Sequence, residues 1–210
     1  MSSSLARRER ADLCDLALLL GADAPTLCSG WDARDLVTHL LVRERRPLGA
    51  AGILVDALSG LTDRSMARYA RQDFGVLVER LRTPGLSPYA IAPVDRAANT
   101  LEYLVHLEDL RRAQPDWRPR DLARADLDEL WRNLHRGAAF LGRSLPVPTV
   151  FRRSDSGAEA TMRKGPDPVT VTGPVAELVL FLFGREAVLD IEITGPEDGV
   201  AAVRAADLGV

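Results

Sequence analysis

The stretch Asn99–Ala113 carries charged side chains where a helix of a globular protein would be apolar. At 100° per residue, Glu102, His106 and Asp109 fall on one narrow line of that helix. Apolar residues flank the line on both sides: Tyr103, Leu107 and Leu110 on one, Leu101 and Val105 on the other. Glu108, Arg111 and Arg112 fall on the opposite side, which we expect to face solvent. A buried carboxylate beside a buried imidazole is costly unless the two are paired or bind a cation, so the stretch raises the question of a metal site.

The composition is that of an ordinary soluble globular protein. The chain has 210 residues, of which 46% are hydrophobic and 27% charged, enough for one large domain or two modest ones. A net charge of −3 gives no electrostatic reason to expect nucleic acid or an acidic membrane as partner. The apolar runs are too short to span a bilayer, and the first residues lack the apolar core of a signal peptide, so we expect a cytoplasmic protein.

Hydrophobic periodicity divides the chain into a helical part and a mixed part. In the first part, helices are predicted at residues 4–20, 32–46, 74–81, 94–114 and 121–141. A less regular helical stretch is predicted between residues 49 and 71. After Pro146 the sequence predicts short strands at 149–153, 157–162, 169–172 and 188–193, with helices at 175–183 and 196–206. The sequence therefore predicts an α+β protein of two domains, residues 1–145 and 146–210.

The chain offers few other residues for chemistry. Cys14 and Cys28 have neither a CxxC nor a zinc-ribbon spacing, and we interpret both as small buried apolar side chains. Of the three histidines, His135 falls near the apolar line of its own helix, which favours a packing role.

The third histidine, His39, lies near the apolar edge of the helix predicted at 32–46 and has the right position to complete a His–Glu–His set with Glu102 and His106. Two imidazoles and one carboxylate suit Zn²⁺ with a fourth position left for water or substrate, but Ni²⁺, Fe²⁺ or Mn²⁺ would also fit. Asp35 and Asp109 have the spacing to accept a hydrogen bond from the other ring nitrogen of His39 and His106 respectively.

Three segments together resemble the mycothiol-dependent maleylpyruvate isomerase family, a branch of the DinB-like metal-binding proteins. They are residues 31–40 (WDARDLVTHL), residues 102–113 (EYLVHLEDLRRA) and residues 169–185 (VTVTGPVAELVLFLFGR). The resemblance covers nearly the whole chain, and it is nearer to an uncharacterised metal-binding branch than to the isomerase itself. It implies a DinB-like four-helix bundle followed by a small sterol-carrier-like domain, with a divalent metal, usually zinc, held by His39, Glu102 and His106.

The resemblance also implies a chemistry. The family's metal assists a low-molecular-weight thiol, mycothiol, whose sulfur adds to a small electrophile, so we expect a thiol-dependent isomerase or transferase. Arg185, which closes the third segment, and Arg43, one turn after His39, are candidates to bind a substrate carboxylate, although ion pairing is the plainer role for Arg43. Two alternatives remain open. One is a metal-containing binding or sensor protein without turnover, and the other, less favoured, is a non-haem Fe(II) oxygenase.

Overall fold

A computed structural model describes residues 3–45, 68–69, 71–85 and 87–208. The chain forms two compact units, residues 1–119 and 120–210. Most of the helical stretch predicted between residues 49 and 71 lies outside the described residues. In the described part of the chain, no helix is both long and apolar enough to cross a membrane.

The first unit is helical. Its described helices are α1 (Leu5–Leu20), α2 (Ala33–Arg45), α3 (Phe74–Arg82) and α4 (Ala92–Arg112), with a 3₁₀ turn at Pro88–Ala90. The start of α2 follows directly from the sequence, because an N-cap aspartate with an acid three residues later, here Asp32 and Asp35, predicts a capping box. The Asp35 amide donates to Asp32 Oδ1 at 2.9 Å, and the Asp32 amide donates to Asp35 Oδ2 at 3.5 Å.

From Asn99 to Arg112, helix α4 is buried on nearly all sides, including the side that the sequence predicted to face solvent. That prediction is wrong for Glu108 and Arg112, which are 2% and 5% exposed. Arg112 Nε donates to Glu108 Oε2 at 2.6 Å, and its guanidinium lies 4.6 Å from the centre of the Trp117 ring. A helical wheel predicts one buried face, but this part of α4 is covered on several faces, and there ion pairs replace contact with water.

A buried polar network fixes α1, α2 and α4 relative to one another. Arg10 forms a fork to Glu44, with nitrogen–oxygen distances of 2.8 and 2.7 Å, and contacts Asp95 at 3.1 Å. The Tyr103 hydroxyl donates to Glu44 at 2.8 Å, and Asn99 donates to both carboxylates. Two buried carboxylates therefore share one buried guanidinium, which makes Arg10 the residue on which the network depends.

Replacing Arg10 with Met should lower the free energy of unfolding by about 3–5 kcal/mol, because Glu44 and Asp95 would lose their shared buried cation. Urea unfolding followed by circular dichroism measures the effect. The matched control is Arg82→Met, which removes a pair to Asp15, a side chain that is 69% exposed. The control should cost about 1 kcal/mol or less. Equal losses in the two variants would show that the buried network contributes no more than a surface pair.

The second unit combines helices with a four-stranded sheet. Its elements are α5 (Arg124–Leu141), a 3₁₀ turn at Gly142–Ser144, β1 (Thr149–Arg153), β2 (Glu159–Arg163), β3 (Val169–Gly173), α6 (Val175–Leu182), β4 (Glu192–Thr194) and α7 (Glu197–Ala205). The strand order is β2-β1-β3-β4; β1 pairs parallel with β3, and the other two pairs are antiparallel. The predicted α+β class is confirmed.

The last strand is shorter than the sequence predicted. Alternation suggested a strand over 188–193, but β4 begins only at Glu192. The segment before it turns: the Val188 amide donates to Glu186 O at 2.8 Å, and Asp190 adopts a φ of 55°. The Leu189 amide donates to a carboxylate oxygen of Glu177 rather than to a neighbouring strand. Side-chain alternation alone did not reveal these local bonds.

Helix α5 belongs to the second compact unit, where it packs against β2 and α6. The division between the units therefore falls between Pro119 and Arg120, whereas the sequence analysis placed it near residue 145 on helix content alone. The domain limits 1–145 and 146–210 stay a prediction.

Candidate metal centre

The first unit brings His39, Glu102 and His106 together around one carboxylate oxygen. Oε1 of Glu102 lies 3.7 Å from His39 Nε2 and 3.4 Å from His106 Nε2. The side chains are 12%, 17% and 10% exposed, so the cluster is enclosed but still reachable from outside. One ligand atom from each residue lies within 4.8 Å of the others.

Two helices and one loop produce this geometry. His39 lies on α2, while Glu102 and His106 lie one turn apart on α4, as the i, i+4 spacing predicted. The His39 ring is flanked by Trp31 at 5.0 Å and by His106 at 5.3 Å between ring centres. Trp31 belongs to the loop before α2, so this loop limits the orientations open to His39.

The three groups shift each other's pKa values in different directions. Burial lowers the pKa of His39, although its contact with Glu102 opposes this. Burial alone would raise the pKa of Glu102, but contacts with His106 and His39 and the nearby Arg43 hold it well below its usual value. Burial would likewise lower the pKa of His106, but hydrogen bonds to Asp109, Cys28 and Glu102 raise it well above the ordinary value. Glu102 is therefore an anion, as a metal-binding carboxylate must be.

Asp109 braces His106 from the side opposite Glu102. His106 Nδ1 lies 3.0 Å from Asp109 Oδ2, and Asp109 is fully buried. Since an ionised carboxylate only accepts hydrogen bonds, Nδ1 carries a proton toward Asp109, and Nε2 is the ring nitrogen that faces Glu102 and His39. This is the contact that the i, i+3 spacing of the two residues predicted.

Cys28 completes the brace, a role that the sequence analysis missed. Its Sγ donates to Asp109 Oδ2 at 3.2 Å, and the side chain is half-buried rather than an apolar core residue. The loop that carries Cys28 is held against the end of α4, because the Leu27 amide donates to Asp109 O at 3.0 Å. Cys28 and Asp109 are 81 residues apart, so no local spacing signals the contact. Cys14 is fully buried.

Asp35 does not brace His39 in the way that Asp109 braces His106. Its resolved hydrogen bonds are those of the capping box with Asp32. In the described part of the chain, Asp35 and His39 make no hydrogen bond to each other. A role for Asp35 beside the site stays a prediction. In the structure, Asp35 helps to cap the N-terminus of α2.

The remaining candidates lie in different places. Arg43 contacts Glu102, with 3.2 Å between Nε and Oε1. Arg185 belongs to the second unit, where it lines a cavity of about 470 Å³ and donates to Phe183 O at 2.5 Å. His135 is exposed on α5, which corrects the expectation that it packs at the edge of the core.

The donor set fits a divalent ion that prefers nitrogen and oxygen ligands. Tetrahedral zinc with bonds of 2.0–2.1 Å places its ligand atoms about 3.3 Å apart, close to the spacings within the cluster. Three protein ligands leave a fourth position for an exogenous group, the pattern of catalytic rather than structural sites. Cys28, His106 Nδ1 and Asp109 also converge, but their spacings of 3.0 and 3.2 Å are those of hydrogen bonds.

The fold and the site together define an α+β protein with a cluster of two imidazoles and one carboxylate in a helical unit. Two solved structures share this fold, one described as the mycothiol-dependent maleylpyruvate isomerase and one as a histidine-to-alanine mutant of it. Their TM-scores are 0.60 and 0.59, each at 16% identity and covering 90% of this chain and 90% of the other. At the level of the fold, this likeness bears out the resemblance to the isomerase family. No family model matches the chain, and no curated protein does.

Replacing Asp109 with Asn should lower the pKa of His106, since the imidazolium would lose its most direct hydrogen bond to an anion. With metal removed by a chelator, proton NMR of the three histidine rings against pH measures the change. Asp35→Asn is the matched control, because Asp35 bonds to backbone rather than to an imidazole. An unchanged His106 titration in Asp109→Asn would show that the contact does not govern this ring.

Proposed function

We propose that this protein is a metal-dependent enzyme of the mycothiol-dependent maleylpyruvate isomerase family that uses a low-molecular-weight thiol as nucleophile or cofactor on a small electrophilic substrate. The observation that carries the proposal is the convergence of His39, Glu102 and His106, with His106 oriented by Asp109. The reaction class is isomerisation or sulfur transfer. The shared fold supports the same reading, with mycothiol as the first thiol to test.

The metal we propose is zinc. When bound, zinc would lower the pKa of a thiol at the open position, so that the thiolate is present at neutral pH. His39 and His106 would supply neutral nitrogen donors, and Glu102 one negative charge. Asp109 and Cys28 hold the His106 ring so that Nε2 faces the other two donors.

Two further features belong to the proposal. Arg185 is a candidate to bind a substrate carboxylate, since a guanidinium forms forked hydrogen bonds with carboxylates. A reducing cytoplasm is the compartment we propose, because both cysteines are free thiols and neither pairs in a disulfide.

Removing any one of the three donors should abolish stoichiometric metal binding while leaving the fold intact. His39→Ala, Glu102→Ala and His106→Ala are purified, and their metal content is measured by mass spectrometry of the elements. The same measurement on the unchanged protein decides between zinc, nickel, iron and manganese. Circular dichroism checks the fold of each variant.

His135→Ala is the matched control, because His135 is an exposed histidine outside the cluster. This variant should retain all of its metal. Full metal content in His39→Ala would contradict the three-donor site and reduce it to the pair on α4.

The metal-loaded protein should consume an electrophile only when a thiol is present. Mycothiol with maleylpyruvate is the first pair to assay, followed by other conjugated acids and electrophiles, with product formation followed by chromatography. Chelation of the metal, omission of the thiol and Glu102→Ala should each reduce the rate at least a hundredfold, since each would remove the activated nucleophile.

One alternative function is separated by the same assay. A binding or sensor protein would retain the metal and bind the thiol, yet it would turn over no electrophile in the screen. Equal turnover with and without thiol would contradict a thiol-dependent reaction altogether.

A further inference from the structure

The Arg43 guanidinium is engaged within the protein and is not left open to bind a substrate carboxylate. Besides its contact with Glu102, its Nη1 donates to Asn99 Oδ1 at 2.6 Å and its Nη2 donates to Ala98 O at 2.9 Å. The guanidinium also lies 5.6 Å from the centre of the Tyr89 ring. All three guanidinium nitrogens therefore have partners within the protein. This arrangement holds the cation in one place beside a candidate metal ligand.

Asn99 is built into the chain of contacts with only one workable orientation. Its amide nitrogen donates to Glu44 at 3.0 Å and to Asp95 at 2.8 Å, while its amide oxygen accepts from Arg43. A flipped amide would turn its oxygen toward two carboxylates and its N–H groups toward a guanidinium, which would lose every one of these bonds. Asn99 is itself fully buried. It therefore connects the Arg10 network to Arg43, and through Arg43 to Glu102.

Arg43 contacts the same carboxylate oxygen of Glu102 that faces the two imidazoles. Oε1 of Glu102 is the atom nearest both imidazoles, and Arg43 Nε touches the same atom. Arg43 therefore restricts where this oxygen points. It also changes the charge of the site: Glu102, Asp109 and Arg43 together carry −1, so a divalent ion would leave +1. Without Arg43 the loaded site would be neutral.

We propose that Arg43 is a positioning residue that makes the open position of the site selective for a monoanion over a neutral ligand, and that Asn99 acts through Arg43 to hold it there. This inference rests on the proposed metal site and deepens it, because it assigns the selectivity to two residues outside the donor set. An anion at the open position would neutralise the loaded site, whereas a neutral ligand would gain nothing from the Arg43 charge.

Two small probes of different charge test the proposal on the cobalt-loaded protein. Azide, a monoanion, and imidazole, a neutral ligand, are titrated separately, and their dissociation constants are read from the visible spectrum of Co²⁺. Arg43→Gln should weaken azide binding about tenfold and leave imidazole binding within twofold, because only the charged probe senses the guanidinium. Arg34→Gln is the matched control; it removes a cation from the same helix but at a contact with Gln72 O, outside the cluster. It should bind both probes as the unchanged protein does.

A double-mutant cycle tests whether Asn99 works through Arg43. Asn99→Ala alone should weaken azide binding several-fold, but it should have no further effect in the Arg43→Gln background. Arg43→Lys, which keeps the charge but loses the fork, should weaken azide binding less than Arg43→Gln does and be insensitive to Asn99→Ala. If Arg43→Gln does not fold, an effect of Asn99→Ala on azide binding that persists in the Arg43→Lys background would overturn the link between the two residues.

The outcomes separate this inference from the proposed function. If the unchanged protein takes up Co²⁺ but Arg43→Gln binds azide and imidazole in the unchanged ratio, the role of Arg43 is wrong while the metal site stands. Additive effects of Asn99→Ala and Arg43→Gln would overturn the link through Asn99. If the unchanged protein takes up no Co²⁺, the proposed function fails and this inference fails with it.

Discussion

The burial of ionised groups along α4 is the constraint on which the structure of the first unit depends. This helix places Asp95, Glu102, His106 and Asp109 where water is largely excluded, so each charge needs a partner from another element. α1 supplies Arg10 to Asp95, α2 supplies Arg43 to Glu102, and the loop before α2 supplies Cys28 to Asp109. The helices therefore pack in a register that pairs their charges, in addition to covering their apolar faces.

Two polar clusters that look separate in the sequence are continuous in the structure. One cluster surrounds the Arg10 guanidinium. The other surrounds Glu102 and contains the two imidazoles that could bind a metal with it. Asn99 joins them, because its amide has both donors and an acceptor and can therefore bridge two carboxylates and a guanidinium. A buried network of this kind is costly if partly satisfied and rigid if complete, which suits a site whose donors must hold a fixed geometry.

The sequence predicts the parts of this site that lie on single helices. The i, i+4 spacing of Glu102 and His106 and the capping box at Asp32 are local patterns, and both appear in the structure as predicted. The errors come from information that no local pattern holds. A helical wheel cannot show that a helix is covered on several faces, so it does not predict the burial of Glu108 and Arg112. The partner of Cys28 is 81 residues away, so no local pattern predicts their contact.

Fold and chemistry carry different weight in the functional argument. At 16% identity, a shared fold indicates how the elements are arranged, and many chemistries can be built on one arrangement. Support for the chemistry comes from the side chains. An anionic Glu102 faces two imidazoles, and one of these is hydrogen-bonded to a buried carboxylate. Burying such a group of charged and polar side chains costs free energy that an apolar core does not. A bound divalent ion would offset this cost in free energy. The cost of burying these groups therefore supports the proposed metal site independently of the shared fold.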